Sequence, residues 1–134
     1  GVSYRELDTE QGEIVFPTST PVQFDPVEAH RSVDRIMGCG PEQLYLTHYS
    51  RVRNLDRLAD QMHAGIDAYV AMAERVEHDD GRAEKLRELL FDYYVDRLHD
   101  HGYAGGREGV RSVMDIDVRL NAQGLDVWLE RRKK

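Results

Sequence analysis

The feature that most constrains the fold of this chain is a series of apolar stripes with helical spacing in its second half. From Asn54 onward, hydrophobic residues recur about every 3.6 positions, as they do on one face of an amphipathic α-helix. With Asn54 as a predicted N-cap, the first stripe consists of Leu55, Leu58, Met62, Ile66, Tyr69, Val70, Ala73 and Val76. The next two consist of Leu86, Leu89, Leu90, Tyr93, Tyr94 and Leu98, and of Val110, Val113, Ile116, Leu120, Val127 and Trp128. The stripes predict three long helices, with their tyrosines and the tryptophan in the core.

Polar and glycine-rich runs separate these helices. Residues 78–81, with the sequence His-Asp-Asp-Gly, break the pattern after the first stripe, and Gly102 with the loop 103–106 ends the second. Gly124 is a weak point inside the last helix, because glycine costs a helix interior about 1 kcal/mol relative to alanine.

The first 50 residues instead contain short strand-like runs. Residues 2–7 alternate loosely, residues 14–16 form an apolar run, and the segment between them has turn chemistry. This pattern predicts a β-hairpin. Pro17 and Pro21 then predict an extended loop, because proline fixes φ and lacks the backbone N–H that a strand ladder needs.

A shorter helix follows this loop. Asp25 is a predicted N-cap, and Pro26 suits the first helical position. The apolar face of this helix consists of Ala29, Val33, Ile36 and Met37. Residues 38–41 end the helix, and residues 43–47 predict a short buried strand. The predicted fold class is therefore α+β, mostly helical.

The amino-acid composition of the chain limits the kinds of partner that it is expected to bind. The net charge of −7 argues against nucleic acid, because phosphate binding needs clustered Lys and Arg. No apolar run approaches the roughly 20 residues that span a bilayer, so no membrane segment is predicted. The single cysteine, Cys39, cannot form an internal disulfide, which fits a cytoplasmic location.

The candidate for chemistry is a histidine placed directly after the predicted buried strand. The sequence Leu44-Tyr45-Leu46-Thr47 leads into His48. A strand that delivers a histidine at its C-terminal end, just before a loop, is a common way to aim a metal ligand into a site. The alternative, a structural histidine that only forms hydrogen bonds, remains open at this point.

Several motifs in the first half resemble the final third of a metallo-β-lactamase-fold hydrolase. They are Phe16-Pro17-Thr18-Ser19-Thr20-Pro21, then Phe24-Asp25-Pro26 with the helix after it, and then Gly40-Pro41-Glu42-Gln43-Leu44-Tyr45-Leu46-Thr47-His48. In that family a helix that starts with Asp-Pro leads into a strand ending in Leu-Thr-His, whose histidine is the last ligand of a two-metal site. Gly1-Val2 also resembles the residues that follow the family's Gly-Asp strand. The resemblance covers residues 1–53 well, and the rest is similar to a C-terminal extension of some members.

The resemblance implies a division of the chain and a role for His48. Residues 1–53 would form the C-terminal portion of an αβ/βα metallo-β-lactamase sandwich, and residues 54–134 a helical C-terminal extension. His48 would be a ligand of a two-metal zinc site that activates water for attack on an ester, thioester or lactam carbonyl. Some relatives use iron and perform redox chemistry on sulfur compounds. The expected partners are the N-terminal part of the same protein, a small-molecule substrate and a second copy of the chain.

The chain also departs from the family pattern, at the residues that would bind the metals. The family's signature H-x-H-x-D-H is absent, and the aspartate that bridges the metals would lie upstream of Gly1. His99-Asp100-His101 is the one H-x-H sequence, and its position at a helix end favours coincidence, because residues two apart on a helix point in different directions. A catalytic zinc usually needs three protein ligands, so we expect this chain to be inactive alone.

Other candidates and a second class of function remain. His30 and His63 lie within amphipathic helices and are interpreted as residues at the core boundary. The alternative function is a non-catalytic helical module for protein interaction or dimerisation, formed by residues 54–134. Strands that had lost their sheet neighbours would also favour self-association through their open edges.

Overall fold

A computed structural model of the chain describes residues 2–3, 11–20, 23–47 and 51–134. Their elements, in chain order, are β1 (Val2–Ser3), β2 (Val15–Phe16), α1 (Pro26–Gly38), β3 (Leu44–Tyr45), β4 (Arg51–Val52), α2 (Leu55–Arg75), α3 (Arg82–Asp100) and α4 (Gly106–Arg132). The strands form two antiparallel pairs, β1 with β2 and β3 with β4. The prediction of an α+β, mostly helical fold is confirmed, and the metallo-β-lactamase sandwich stays a prediction.

The predicted hairpin is confirmed where the structure describes it. Val2 pairs with Phe16 and Ser3 with Val15, whereas residues 4–10 of the predicted strand and turn lie outside the described residues. Side chains alternate along the second strand. Ile14 and Phe16 enter the main core, and Val15 enters a smaller cluster with Val52, Leu55 and Leu58.

Helix α1 begins as predicted and is attached only loosely. The Asp25 carboxylate accepts a hydrogen bond from the backbone N–H of Glu28 at 3.0 Å, and Pro26 occupies the first turn. None of the helix's residues is fully buried, although Ala29 packs against the main core and Met37 against the smaller cluster. Ile36, predicted on the apolar face, is exposed.

The strand predicted as buried is in fact short and half-exposed. Only Leu44 and Tyr45 are in strand conformation, and Tyr45 is 73% exposed. Leu44 and Leu46 pack against the smaller cluster, so one side of the strand is covered by this chain. The Tyr45 side chain points to the opposite face of the β3–β4 pair, which the described residues leave uncovered.

The three long helices form where the stripes predict them. Residues 78–81 separate α2 from α3, and the main core contains Tyr69, Tyr94 and Trp128. The prediction that the Asn54 side chain caps α2 is wrong. Asn54 has a left-handed backbone (φ 55°), and its side chain makes no cap hydrogen bond to the helix. Asparagine tolerates this conformation, so Asn54 serves as the turn between β4 and α2.

The buried face of α4 differs from the predicted one. Val113, Ile116 and Leu120 are exposed, and Ile116 is 62% exposed. The face that packs on α2 and α3 contains Val110, Met114, Val118, Asn121, Ala122, Gly124, Leu125, Trp128 and Leu129. Apolar residues also recur on this face, at Val110, Met114, Val118, Ala122, Leu125 and Leu129, so α4 carries two apolar rows and spacing alone does not choose between them.

The polar residue on this face, Asn121, holds the loop after β2 inside the core. The backbone N–H of Ser19 donates to Oδ1 of Asn121 at 2.8 Å, and the Ser19 hydroxyl donates to the Asn121 carbonyl at 2.9 Å. On the other side, Asn121 Nδ2 donates to the Tyr94 hydroxyl at 2.8 Å. The Tyr69 hydroxyl contacts that of Tyr94 and donates to the carbonyl of Pro17 at 3.0 Å. The buried loop therefore has partners for its polar groups.

Gly124 allows the same loop to approach α4. A Cβ atom at this position would lie 1.3 Å from the backbone oxygen of Ser19. The predicted weak point is thus the place where loop backbone and helix backbone touch.

We therefore expect Gly124→Ala to lower the free energy of unfolding, despite the better helix propensity of alanine. The added methyl group must displace the loop, and overpacking of this kind costs roughly 1–3 kcal/mol. Urea unfolding followed by circular dichroism measures the change. The matched control is Gly38→Ala, where an added Cβ meets no atom within 4 Å. Equal stability of Gly124→Ala and the unmodified protein would contradict this packing.

Candidate functional site

Two histidines from helices far apart in the sequence meet at the surface between α1 and α2. The Nδ1 atoms of His30 and His63 lie 2.6 Å apart. The imidazole planes are tilted by only 13°, and their centroids are 4.9 Å apart. The distance between the centroids equals the Nδ1–Nδ1 distance plus the radius of each ring. The rings therefore lie edge to edge, and each aims its Nδ1 at the other.

A carboxylate from the opposite helix holds the far nitrogen of each ring. His30 Nε2 lies 2.8 Å from Asp67 Oδ1, and His63 Nε2 lies 3.0 Å from Asp34 Oδ1. The side chains of His30 and His63 are only 29% and 30% exposed, whereas both aspartates are largely exposed. The four residues form a continuous row, Asp67, His30, His63 and Asp34, which we term the His–Asp array.

The array arises from the same spacing in both helices. Asp34 follows His30 by four residues, and Asp67 follows His63 by four, so each pair lies on one helix face. The contacts between the pairs are crossed, histidine to the aspartate of the other helix. Crossed contacts of this kind require the two helices to run antiparallel, with a local two-fold axis between the histidines.

The hydrogen-bonding capacity of these groups defines what the array can hold. An ionised carboxylate only accepts hydrogen bonds, so Nε2 of each histidine is the donor to its aspartate. A neutral imidazole has one N–H and one lone pair, and the two Nδ1 lone pairs therefore face each other. Two lone pairs at 2.6 Å repel unless a positive charge lies between them. The contact between the helices therefore depends on what lies between the two Nδ1 atoms.

Sequence reasoning missed this site. It interpreted His30 and His63 as residues at the core boundary, and their partial burial fits that interpretation, but it did not bring them together. A signal was available: H-x-x-x-D occurs once in each of the two helices, at His30 with Asp34 and at His63 with Asp67. Only the packing of α1 on α2 shows that the two motifs face each other.

The ligand expected from the resemblance, His48, lies outside the described residues. Within the described part of the chain, no group of three or more His, Cys, Asp or Glu side chains is arranged to hold a metal ion.

The two histidines of the H-x-H sequence have different surroundings. The His99 side chain is 84% exposed, whereas His101 is buried and its Nε2 donates to the carbonyls of Gly12 at 3.0 Å and Glu13 at 3.1 Å. The two rings point apart. Desolvation by burial lowers the pKa of His101, and positive charge on Arg57 and Arg97 lowers it further, although the two carbonyls oppose the shift.

A second surface feature is the row of exposed apolar residues on α4. Val113, Ile116 and Leu120 are spaced three and four residues apart, so they share one helix face, which we term the α4 stripe. Beside it, Asp115 and Arg119 form an ion pair at 3.3 Å. The stripe is thus apolar, and this part of its border carries no net charge.

No family model matches this chain, and no curated protein or solved structure is found to be similar to it. Among the described residues, none of the helices combines the length and apolar composition needed to cross a membrane.

We expect His101 to make stability depend on pH. A histidine with a lowered pKa in the folded state binds its proton more tightly when unfolded, so stability is complete above the unfolded value of 6.5 and is lost as the pH falls through it. In His101→Gln, the free energy of unfolding should fall less between about pH 7 and pH 5 than in the unmodified protein. Urea unfolding at several pH values measures this, with His99→Gln as the exposed control. Identical slopes for all three proteins would show that His101 does not contribute.

Proposed function

We propose that this chain is the C-terminal part of a metallo-β-lactamase-fold protein in which His48 is a metal ligand. The observation that carries the proposal is the order of elements before that histidine. A helix capped by Asp25, with Pro26 in its first turn, leads into a strand at Leu44–Tyr45 that ends three residues before His48. This is the order expected from the resemblance of residues 16–48 to the family.

The small sheets support a fragment of a larger sandwich. In the described residues each sheet has two strands, and a two-stranded sheet is marginally stable on its own. Tyr45 on β3 is largely exposed, as a strand side chain would be if its covering layer came from elsewhere. The partner that fits is the N-terminal part of the same protein, which would provide further strands.

In the proposed protein, His48 contributes one ligand and the upstream part contributes the rest. The metals would be zinc, or iron as in some relatives. With zinc, they would activate water for attack on an ester, thioester or lactam carbonyl. Two metals about 3.5–4 Å apart need ligands for each metal and a bridging group, so residues 1–134 alone are expected to be inactive.

The experiment begins with the coding frame upstream of Gly1, where the proposal requires an H-x-H-x-D-H motif and a Gly-Asp directly before Gly1. The complete protein is then purified as the unmodified form, as His48→Gln and as the control His99→Gln. Metal content is measured by mass spectrometry, and hydrolysis is measured with chromogenic ester, thioester and lactam substrates.

The expected result is that His48→Gln loses bound metal and at least about tenfold of any hydrolytic activity, whereas His99→Gln keeps both. Loss of a group that only hydrogen-bonds to a metal ligand already costs about 10–100-fold, so removal of the ligand itself should exceed the lower bound. An upstream frame without the motif, or a start codon directly before Gly1, would contradict the proposal.

Self-association through the α4 stripe is a second candidate function. It is favoured by the apolar face of Val113, Ile116 and Leu120, which the described chain leaves exposed. The proposed occupant is a second copy of the chain. In a two-fold dimer the same surface meets itself, and the internally paired Asp115 and Arg119 beside the stripe avoid like-charge repulsion.

For this candidate, we expect Ile116→Glu to convert a dimer into a monomer, because a charge would be buried at the centre of the interface. Analytical ultracentrifugation over a range of protein concentrations measures the change. Val27→Glu is the control, since Val27 is also an exposed apolar residue but lies on α1. A monodisperse monomer at high concentration of the unmodified protein would rule out self-association.

A further inference from the structure

We propose that His30 and His63 bind one divalent transition-metal ion through their Nδ1 atoms, with Asp34 and Asp67 as orienting residues. This site lies between α1 and α2 and is separate from the one to which His48 is assigned. It depends only on the geometry of the His–Asp array and not on the proposed function.

The first support is the direction of the lone pairs. Both Nε2 atoms contact carboxylates, which leaves both Nδ1 atoms as acceptors that face each other at 2.6 Å. Neutral imidazole is a ligand suited to Zn²⁺, Cu²⁺ and Ni²⁺. Two such ligands already converge on one point, although they come from helices that are separated by residues 39–54 of the chain.

The second support is the carboxylate behind each ring. Histidines that bind metals almost always donate their other ring N–H to a carboxylate, a carbonyl or water, which fixes the tautomer and raises the basicity of the ligand atom. Asp67 stands in this position for His30, and Asp34 for His63. The two carboxylates also bring negative charge close to the place where the cation would sit.

A metal ion requires only a small adjustment of the rings. With Zn–N bonds of about 2.0–2.1 Å, two ligands of a tetrahedral site lie about 3.3 Å apart, so the Nδ1 atoms must separate by about 0.7 Å. Helix α1 can accommodate this shift, because none of its residues is fully buried. The remaining coordination positions would be filled by water or by a ligand from outside the chain.

Metal binding would link α1 to α2. Because the ion would bind the folded state and cross-link two helices, the protein should become more stable as the metal concentration rises above the dissociation constant. Helix α1 leads directly into the segment of β3, so the link would also restrain the backbone that approaches His48.

The test uses the chain with Cys39→Ser, since the exposed Cys39 thiol is itself a potential metal ligand. Zn²⁺ and Ni²⁺ are titrated by isothermal calorimetry, and the melting temperature is followed in parallel. We expect one saturable site per chain and a rise in melting temperature with metal. His30→Gln and His63→Gln should each abolish both effects, whereas His99→Gln should retain them.

The role of the two aspartates is tested by the metal affinity of variants that lack one carboxylate. Asp34→Asn and Asp67→Asn should keep the same stoichiometry and weaken the dissociation constant by about 10–100-fold, as expected for loss of a carboxylate behind a ligating histidine. Both aspartates are largely exposed, so these variants should fold normally.

A spectroscopic measurement makes the result independent of variant folding. With one equivalent of Cu²⁺, the electron paramagnetic resonance spectrum should show coupling to two imidazole nitrogens. The proposal is overturned by an absence of saturable binding, by a histidine variant that binds metal as tightly as the unmodified chain, or by a spectrum without two nitrogen ligands. In each of these cases the two histidines would only link α1 to α2 by their contact with each other.

Discussion

The structure depends on the hydrogen bonds through which Asn121 holds the loop after β2 in the core. A buried loop must find partners for its backbone groups, and Asn121 accepts from the N–H of Ser19 while it donates to Tyr94. Burial raises the pKa of Tyr94 far above its usual value, so this network stays neutral. With the loop fixed here, β2 is placed so that Ile14 and Phe16 complete the main core. The first half of the chain is thus joined to the helical half by polar contacts as much as by apolar ones.

The His–Asp array lies on a different face of α2 from the core residues. Helix α2 turns Tyr69 and Ala73 toward the core and presents His63 and Asp67 on a face where α1 packs. Helix α1 has no fully buried residue, so a large part of its attachment comes from half-buried contacts and from the array itself. An ion bound there would therefore act on the most weakly attached helix of the described chain, and local opening of such an element is energetically accessible.

Several parts of the fold could be predicted from sequence because local chemistry determines them. The bounds of α2, α3 and α4 follow from apolar periodicity interrupted by residues 78–81 and by Gly102, and the start of α1 follows from Asp25 and Pro26. The predictions that were wrong depend on distant neighbours. Leu44 and Tyr45 have strand-like residue types, but the burial of a strand depends on what covers it.

The sequence by itself determined the class of the fold, the position of its helices and the residue types available for chemistry, because helix formation depends on neighbours three and four residues apart. Only the tertiary structure decided which face of α4 is buried, since Asn121 and Gly124 serve that face through contacts with a loop about 100 residues earlier in the chain. It also decided that His30 meets His63. Each H-x-x-x-D motif specifies one face of one helix, and the juxtaposition of two such faces follows from packing, which no local pattern encodes.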